Sequence, residues 1–179
     1  MKPIGANQLS RIFLISRDSQ SQILNKSMST ALFMLRSPLS SISLPIYQSQ
    51  PRSQNIKLNL SNEPCFVIGD PQQLKQVFLN LIINSLYATE GGGDISISTS
   101  KKQMVVQILF TDYGAGIEPE HLEKIFDPFF TTKPTGKGTG LGLAICYGII
   151  DVHNGRIEDF SEGSGKGASF MINLRLVTK

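Results

Sequence analysis

The sequence predicts an α+β fold, with helices laid on one face of a mixed, mostly antiparallel sheet, and three observations lead there. Short apolar runs bounded by turn residues recur at 56–60, 65–68, 95–100, 104–111, 156–160 and 168–176, each the length of a strand. Two longer stretches, 70–88 and 141–153, carry apolar residues at three-to-four spacing and read as helices. Within 95–111 and again within 156–176, consecutive strands are separated only by short turn signals, Lys101-Lys102 and Ser164-Gly-Lys-Gly167, so they read as hairpins.

A chain of 179 residues holds one well-cored domain and an appendage. Its net charge of +3 is modest, and no basic stretch is interleaved with aromatics, which points away from a nucleic-acid surface. Cys65 and Cys146 lack metal-ligand spacing and read as buried thiols of a reducing, cytoplasmic compartment; His121 and His153 form no zinc pattern. The apolar run Ile12-Phe-Leu-Ile15 is too short for a signal-peptide core, and no stretch reaches the roughly 18–20 apolar residues that span a bilayer. The chain is therefore expected to carry no membrane segment.

Over residues 1–50 the apolar positions Leu9, Ile12, Phe13, Ile23, Leu24, Met28, Leu32, Leu35, Leu39 and Ile42 follow a three-to-four spacing. That spacing predicts a helical segment of one or two helices, interrupted by Pro38 and Pro45. Its stripe needs a partner, either a second copy in a homodimer or the domain that follows. A polar linker then leads into a second domain over 51–179.

In that domain Asp70-Pro71 supplies a cap and a first-turn proline for the helix that runs to Ala88, and Glu90-Gly-Gly-Gly93 ends it. Residues 118–125 read as a short helix, and 127–140, rich in Pro, Gly and Thr, as a mobile loop.

Four stretches carry chemistry. Asp112-Tyr-Gly-Ala-Gly-Ile117 ends a strand on a carboxylate and two glycines, which suits close approach of the backbone to a ligand, although Asp-x-Gly also occurs in plain turns. On the 70–88 helix, Asn80, Asn84 and Tyr87 share a face beside the apolar one. Mid-helix asparagine costs about half a kcal/mol, so a stacked pair suggests a task, such as an amide oxygen for a hard cation like Mg²⁺; the alternative is a solvated face. Phe126-Asp-Pro-Phe-Phe-Thr-Thr-Lys133 places three phenylalanines in a loop, where they are expected to fold back as anchors. Finally, Gly136-Lys-Gly-Thr-Gly-Leu-Gly142 runs glycines into a helix start, an anion site unless it is a flexible linker.

Spacing excludes two common glycine-rich sites. A P-loop needs Ser or Thr after Gly-Lys, but Gly136-Lys137 is followed by Gly138; a dinucleotide fingerprint needs a sixth-place glycine where Leu143 and Pro119 stand.

Taken in order, these four stretches resemble the N box, first glycine box, F box and second glycine box of sensor histidine kinases, within the superfamily that includes gyrase-type, mismatch-repair and heat-shock chaperone ATPases. The resemblance runs from about Ile56 to Leu176. It implies a two-layer α/β sandwich, the Bergerat ATP-binding fold, with ATP and Mg²⁺ as cofactors. Asp112 would accept the adenine amino hydrogen, with Gly114, Gly116 and Ile117 closing on the base. Asn84 would hold Mg²⁺ and Asn80 would support it. Lys133, Lys137, Gly138, Thr139, Gly140, Leu141 and Gly142 would form the lid and its hinge over the triphosphate, short as in nitrogen-regulation and sporulation kinases.

Four positions depart from the family pattern. Tyr87 stands where many relatives have lysine or arginine, a phosphate contact that Lys133 or Lys137 would have to replace. Ala168 stands where a threonine is common. Upstream, Leu32-Phe-Met-Leu-Arg-Ser-Pro-Leu39 resembles the end of a phosphoacceptor box, but Phe33 occupies the histidine position and Met34 that of the acid. The implied function is γ-phosphoryl transfer to a histidine on another chain, with a histidine-bearing dimerisation domain or a response regulator as partner. The competing function is an ATP-binding pseudokinase that holds nucleotide without transferring phosphate.

Overall fold

The computed structural model describes residues 12–15, 55–61, 65–90 and 92–177. Its strands are β1 (Ile12–Ile15), β2 (Asn55–Asn59), β3 (Cys65–Ile68), β4 (Asp94–Lys102), β5 (Val105–Asp112), β6 (Arg156–Phe160) and β7 (Ala168–Arg175). The helices are α1 (Pro71–Ala88), α2 (Pro119–Leu122) and α3 (Gly142–Val152). Among the described residues one sheet runs β2-β4-β5-β7-β6, parallel only where β2 meets β4, so the mixed, mostly antiparallel sheet is as the sequence predicts.

Alternation along the central strands creates the two faces. Val106, Ile108, Phe110 and Asp112 of β5 are buried, as are Ala168, Phe170, Ile172 and Leu174 of β7 opposite them in register. Side chains two apart share a face, so this run forms one apolar surface that ends on a carboxylate. α1 packs on β5, α3 packs on the neighbouring β6, and the two helices pack on each other. The Phe78 ring meets that of Phe110 at 5.8 Å between centroids, tying α1 to β5. The other face is mixed: Gln107 donates to Asn173 at 2.7 Å and the Thr111 and Ser169 hydroxyls meet at 2.9 Å, with Leu109 opposite Met171 between them.

α1 begins where the Asp70 carboxylate accepts the N–H of Gln72 at 2.8 Å, with Pro71 in the first turn. Leu74, Val77, Phe78, Leu81 and Ile82 are buried, so Asn80, Asn84 and Tyr87 are left half-buried at the edge of the helix–sheet contact. His153 joins the far end of α3 to this start: its Nε2 accepts the Asp70 N–H at 2.9 Å, which requires the ring proton on Nδ1, 2.6 Å from the Ile149 carbonyl. Cys65 and Cys146 are buried thiols, and burial pushes the Cys146 thiol up to about 12.

One expectation is corrected. Ile12–Ile15 is a strand, antiparallel to β3 with Ile12 opposite Ile68 and Ile15 opposite Cys65, where the spacing predicted helix. Four apolar residues in succession define no helical face, and β3 offers them an edge that local periodicity cannot reveal. The rest of the predicted helical segment, including Phe33 and Met34, lies outside the described residues. The hairpin between β4 and β5 also turns slightly later than Lys101-Lys102, with Gln103 in the left-handed region at φ 51°. Of the short helix expected over 118–125, only Pro119–Leu122 is helical.

Candidate functional site

Where β5 ends, its buried face delivers Asp112 into a cleft of about 500 Å³ between the sheet, α1 and the glycine-rich loop ahead of α3. The carboxylate is 3% exposed and accepts the Gly114 N–H at 3.1 Å. Burial raises its pKa, opposed by the backbone N–H groups of Gly114 and Ala168. A buried carboxylate with acceptor capacity facing a cleft awaits a donor from a ligand.

The glycines beside it are required by space. A Cβ on Gly114 would stand 2.3 Å from the Ala88 carbonyl oxygen, because the loop is pressed onto the end of α1, where Ala115 N–H bonds that same carbonyl at 3.0 Å. Gly116 has φ +73°, and a Cβ there would meet the Gly163 carbonyl oxygen at 2.1 Å.

Across the cleft, Asn80 and Asn84 diverge in what they touch. Asn80 Nδ2 donates to the Gly142 carbonyl at 3.2 Å and so ties α1 to the start of α3. Asn84 Oδ1 accepts from Lys133 Nζ at 2.9 Å, and the same ammonium lies 4.4 Å from the centre of the Tyr87 ring. Burial lowers the Lys133 pKa. Lys137 also reaches the wall but is exposed.

The loop from Phe130 to Thr139 is pinned at its base, where Phe129 N–H donates to the Gly140 carbonyl at 2.9 Å with Phe129 at φ 69°. Phe126 and Phe130 pack against the core as anchors, but Phe129, expected to do the same, is 75% exposed. At the start of α3, Leu141 takes the cap position with no side-chain cap bond, which leaves first-turn N–H groups for an anion.

The structure brings Asn80, Asn84, Tyr87, Asp112, Gly116, Ile117, Lys133, Lys137, Gly138, Thr139, Gly140 and Gly142 onto one wall system. Gly114 and Leu141 stand off it, Gly114 in the loop pressed onto the end of α1 and Leu141 at the cap of α3. Ala168, opposite Asp112 in register, lines the cleft. The sequence reasoning missed Glu118 and His121, which also line it; the His121 ring packs on Phe130 at 5.4 Å. Their signal was present in the step from the first glycine stretch into α2, one and four residues past the end of a motif already noted.

A sheet carrying a buried carboxylate at a strand end, faced by helices and covered by a loop, defines the class of nucleotide-binding α+β sandwiches. Residues 69–178 match the family model described as histidine kinase-, DNA gyrase B-, and HSP90-like ATPase, and the chain belongs to that family, in which it is a histidine-kinase-type ATP-binding domain. It is 45% identical over 112 residues to sporulation kinase C of Bacillus subtilis, covering 63% of this chain and 26% of that kinase. To the sensor histidine kinase ZraS of Escherichia coli K12 it is 38% identical over 134 residues, covering 74% of this chain and 28% of that one. The solved catalytic domain of histidine kinase ThkA superposes with a TM-score of 0.69 at 28% identity, over 92% of this chain and 97% of that domain. ThkA in complex with the response regulator TrrA gives 0.66 at 26% identity, over 93% and 42%. The chain thus spans about a quarter of the length of the curated relatives it matches.

Proposed function

We propose that this chain binds Mg²⁺-ATP in the Asp112 cleft and serves as the catalytic part of a cytoplasmic two-component sensor kinase, supplying the γ-phosphoryl group to a histidine on another chain. The observation that carries it is the buried Asp112 carboxylate facing the Asn84 and Lys133 side chains across one cleft. An adenine amino group is a donor of the kind the carboxylate lacks, and the crowded glycines leave a flat wall for a base. Lys133 and the start of α3 are the cationic end, where phosphates belong.

The residues fit magnesium as well. Among the described residues no group of three His, Cys, Asp or Glu side chains could hold a metal, so the protein would contribute the Asn84 amide oxygen and the nucleotide the rest. Bound there, the ion neutralises charge on the phosphates. Partners consistent with this role are a histidine-bearing dimerisation domain and a response regulator, the latter as ThkA has in TrrA.

Labelled ATP tests the proposal. The chain alone is expected to acquire no acid-labile label, because Phe33 cannot accept a phosphoryl group, whereas a histidine-bearing dimerisation hairpin mixed with it should. Tight binding with no transfer to any hairpin or regulator would instead establish a pseudokinase.

Hydrolysis should be slow. Gyrase-type and chaperone relatives have a glutamate base one turn before the magnesium asparagine; here Asn80 stands there and its amide is engaged with Gly142. Lacking a positioned base costs about 10²–10⁴ in rate. Phosphate release as fast as that of a dedicated ATPase, and abolished by Asn84→Ala, would show that hydrolysis is the function.

A further inference from the structure

We propose that Tyr87 is a positioning residue for Lys133, and that the pair presents a fixed positive charge to the outer phosphates, so that the chain prefers ATP and ADP to AMP even without a divalent cation. The inference rests on the nucleotide reading above and goes beyond it in assigning work to Tyr87, whose side chain brings no charge of its own.

Tyr87 lies three residues after Asn84, so both project from one face of α1. Lys133 reaches that face from the loop and meets both: its ammonium sits over the Tyr87 ring, 4.4 Å from the centre, and donates to Asn84 Oδ1 at 2.9 Å. A lysine side chain has four rotatable bonds, and fixing it on a phosphate normally loses most of that freedom. Here the ring and the amide restrict it beforehand. The ring does so without neutralising the charge, as a carboxylate would; its negative face attracts the ammonium and leaves the remaining protons for phosphate oxygens. The ammonium is also half-buried, so it is partly stripped of water and its attraction for an anion is less screened.

The arrangement explains how a tyrosine can stand at a place that otherwise calls for a cation: the cation comes from the loop, and the helix contributes its seat. Asn84 is drawn in as well. Before nucleotide arrives its oxygen is bonded to an ammonium, so Lys133, beside the open N–H groups at the start of α3, contributes selectivity for polyphosphate before a metal enters with the phosphates.

The test compares ATP, ADP and AMP by calorimetry in EDTA for the wild-type chain and for Tyr87→Leu, Tyr87→Phe and Lys133→Met. Wild type should bind ATP about tenfold more tightly than AMP. Lys133→Met should reduce that ratio most, Tyr87→Leu should reduce it about threefold, and Tyr87→Phe should retain it. A loss confined to ATP and ADP separates positioning from general damage to the cleft. In the nucleotide-free chain, the Lys133 ε-methylene protons should show an upfield ring-current shift by NMR, retained in Tyr87→Phe and lost in Tyr87→Leu. A wild type that binds ATP and AMP alike, or a Tyr87→Leu ratio equal to wild type, overturns this inference alone. A wild type that binds no adenine nucleotide, even with Mg²⁺, overturns the nucleotide reading with it.

Discussion

Asp112→Asn is expected to weaken ATP binding by about 10- to 150-fold, the range for losing a hydrogen bond to a charged group. The carboxylate oxygens serve the backbone N–H groups of Gly114 and Ala168 and keep acceptor capacity toward the cleft. An amide keeps such a bond and presents its NH₂ where the adenine amino group also needs an acceptor. Two donors then face each other beside a side chain that is buried from water. Unchanged affinity by calorimetry would remove Asp112 from the site.

The same residue sets an acid limit. Because burial raises its pKa, Asp112 takes up a proton at a higher pH than an ordinary carboxylate, and ATP affinity should begin to fall there, with Asp112→Asn giving a flatter profile. For the nucleotide-free fold the sign is opposite. A carboxyl group whose folded pKa is raised costs stability above that value, and the cost is relieved as pH falls through it toward the unfolded value near about 3.9. Acidification should therefore lower affinity while removing this one local cost to the fold.

Gly116→Ala is expected to be the most damaging small substitution. The new methyl would demand the left-handed region and stand 2.1 Å from the Gly163 carbonyl oxygen, which belongs to backbone and cannot swing aside. Strain and displacement together should cost about 2–4 kcal/mol, lowering the melting temperature by about 10–20 °C. Gly148→Ala is the natural comparison: it lies within α3 with nothing within 4 Å of the added carbon, and should stabilise by about 0.5–1 kcal/mol. Equal melting temperatures for Gly116→Ala and wild type would mean that the loop yields easily.

Much of this was legible in the sequence because local signals coincided. Asp70-Pro71 fixed the start of α1, alternation marked β5 and β7, and the burial of Asp112 follows from counting by twos from Val106. What escaped depends on distant partners. β1 reads as helix because Leu9, Ile12 and Phe13 fit a three-to-four spacing, and only β3 makes Ile12–Ile15 a strand. Parallel pairing of β2 with β4 leaves no trace in either segment. Phe129 looked like an anchor by composition, yet its positive φ turns the ring outward while its neighbours pack inward. In the site, residue types were readable and their contacts were not: Asn80 and Asn84 are alike in sequence, but one grips Gly142 and the other receives a lysine from 49 positions away.

The bond between Phe129 and Gly140 has a consequence for how this family member can change. It joins the two ends of the loop with backbone alone, independent of the side chains between them. For a loop already closed at its base, each doubling of length costs only about 0.6 kcal/mol in closure entropy. At its outer turn Gly136 has open space around it, so extra residues inserted there meet no packed neighbour. Growth of the loop at Gly136 is therefore nearly decoupled from the stability of the sandwich beneath it, and longer covers can be carried on the same base as long as Lys133 keeps its place against Asn84 and Tyr87.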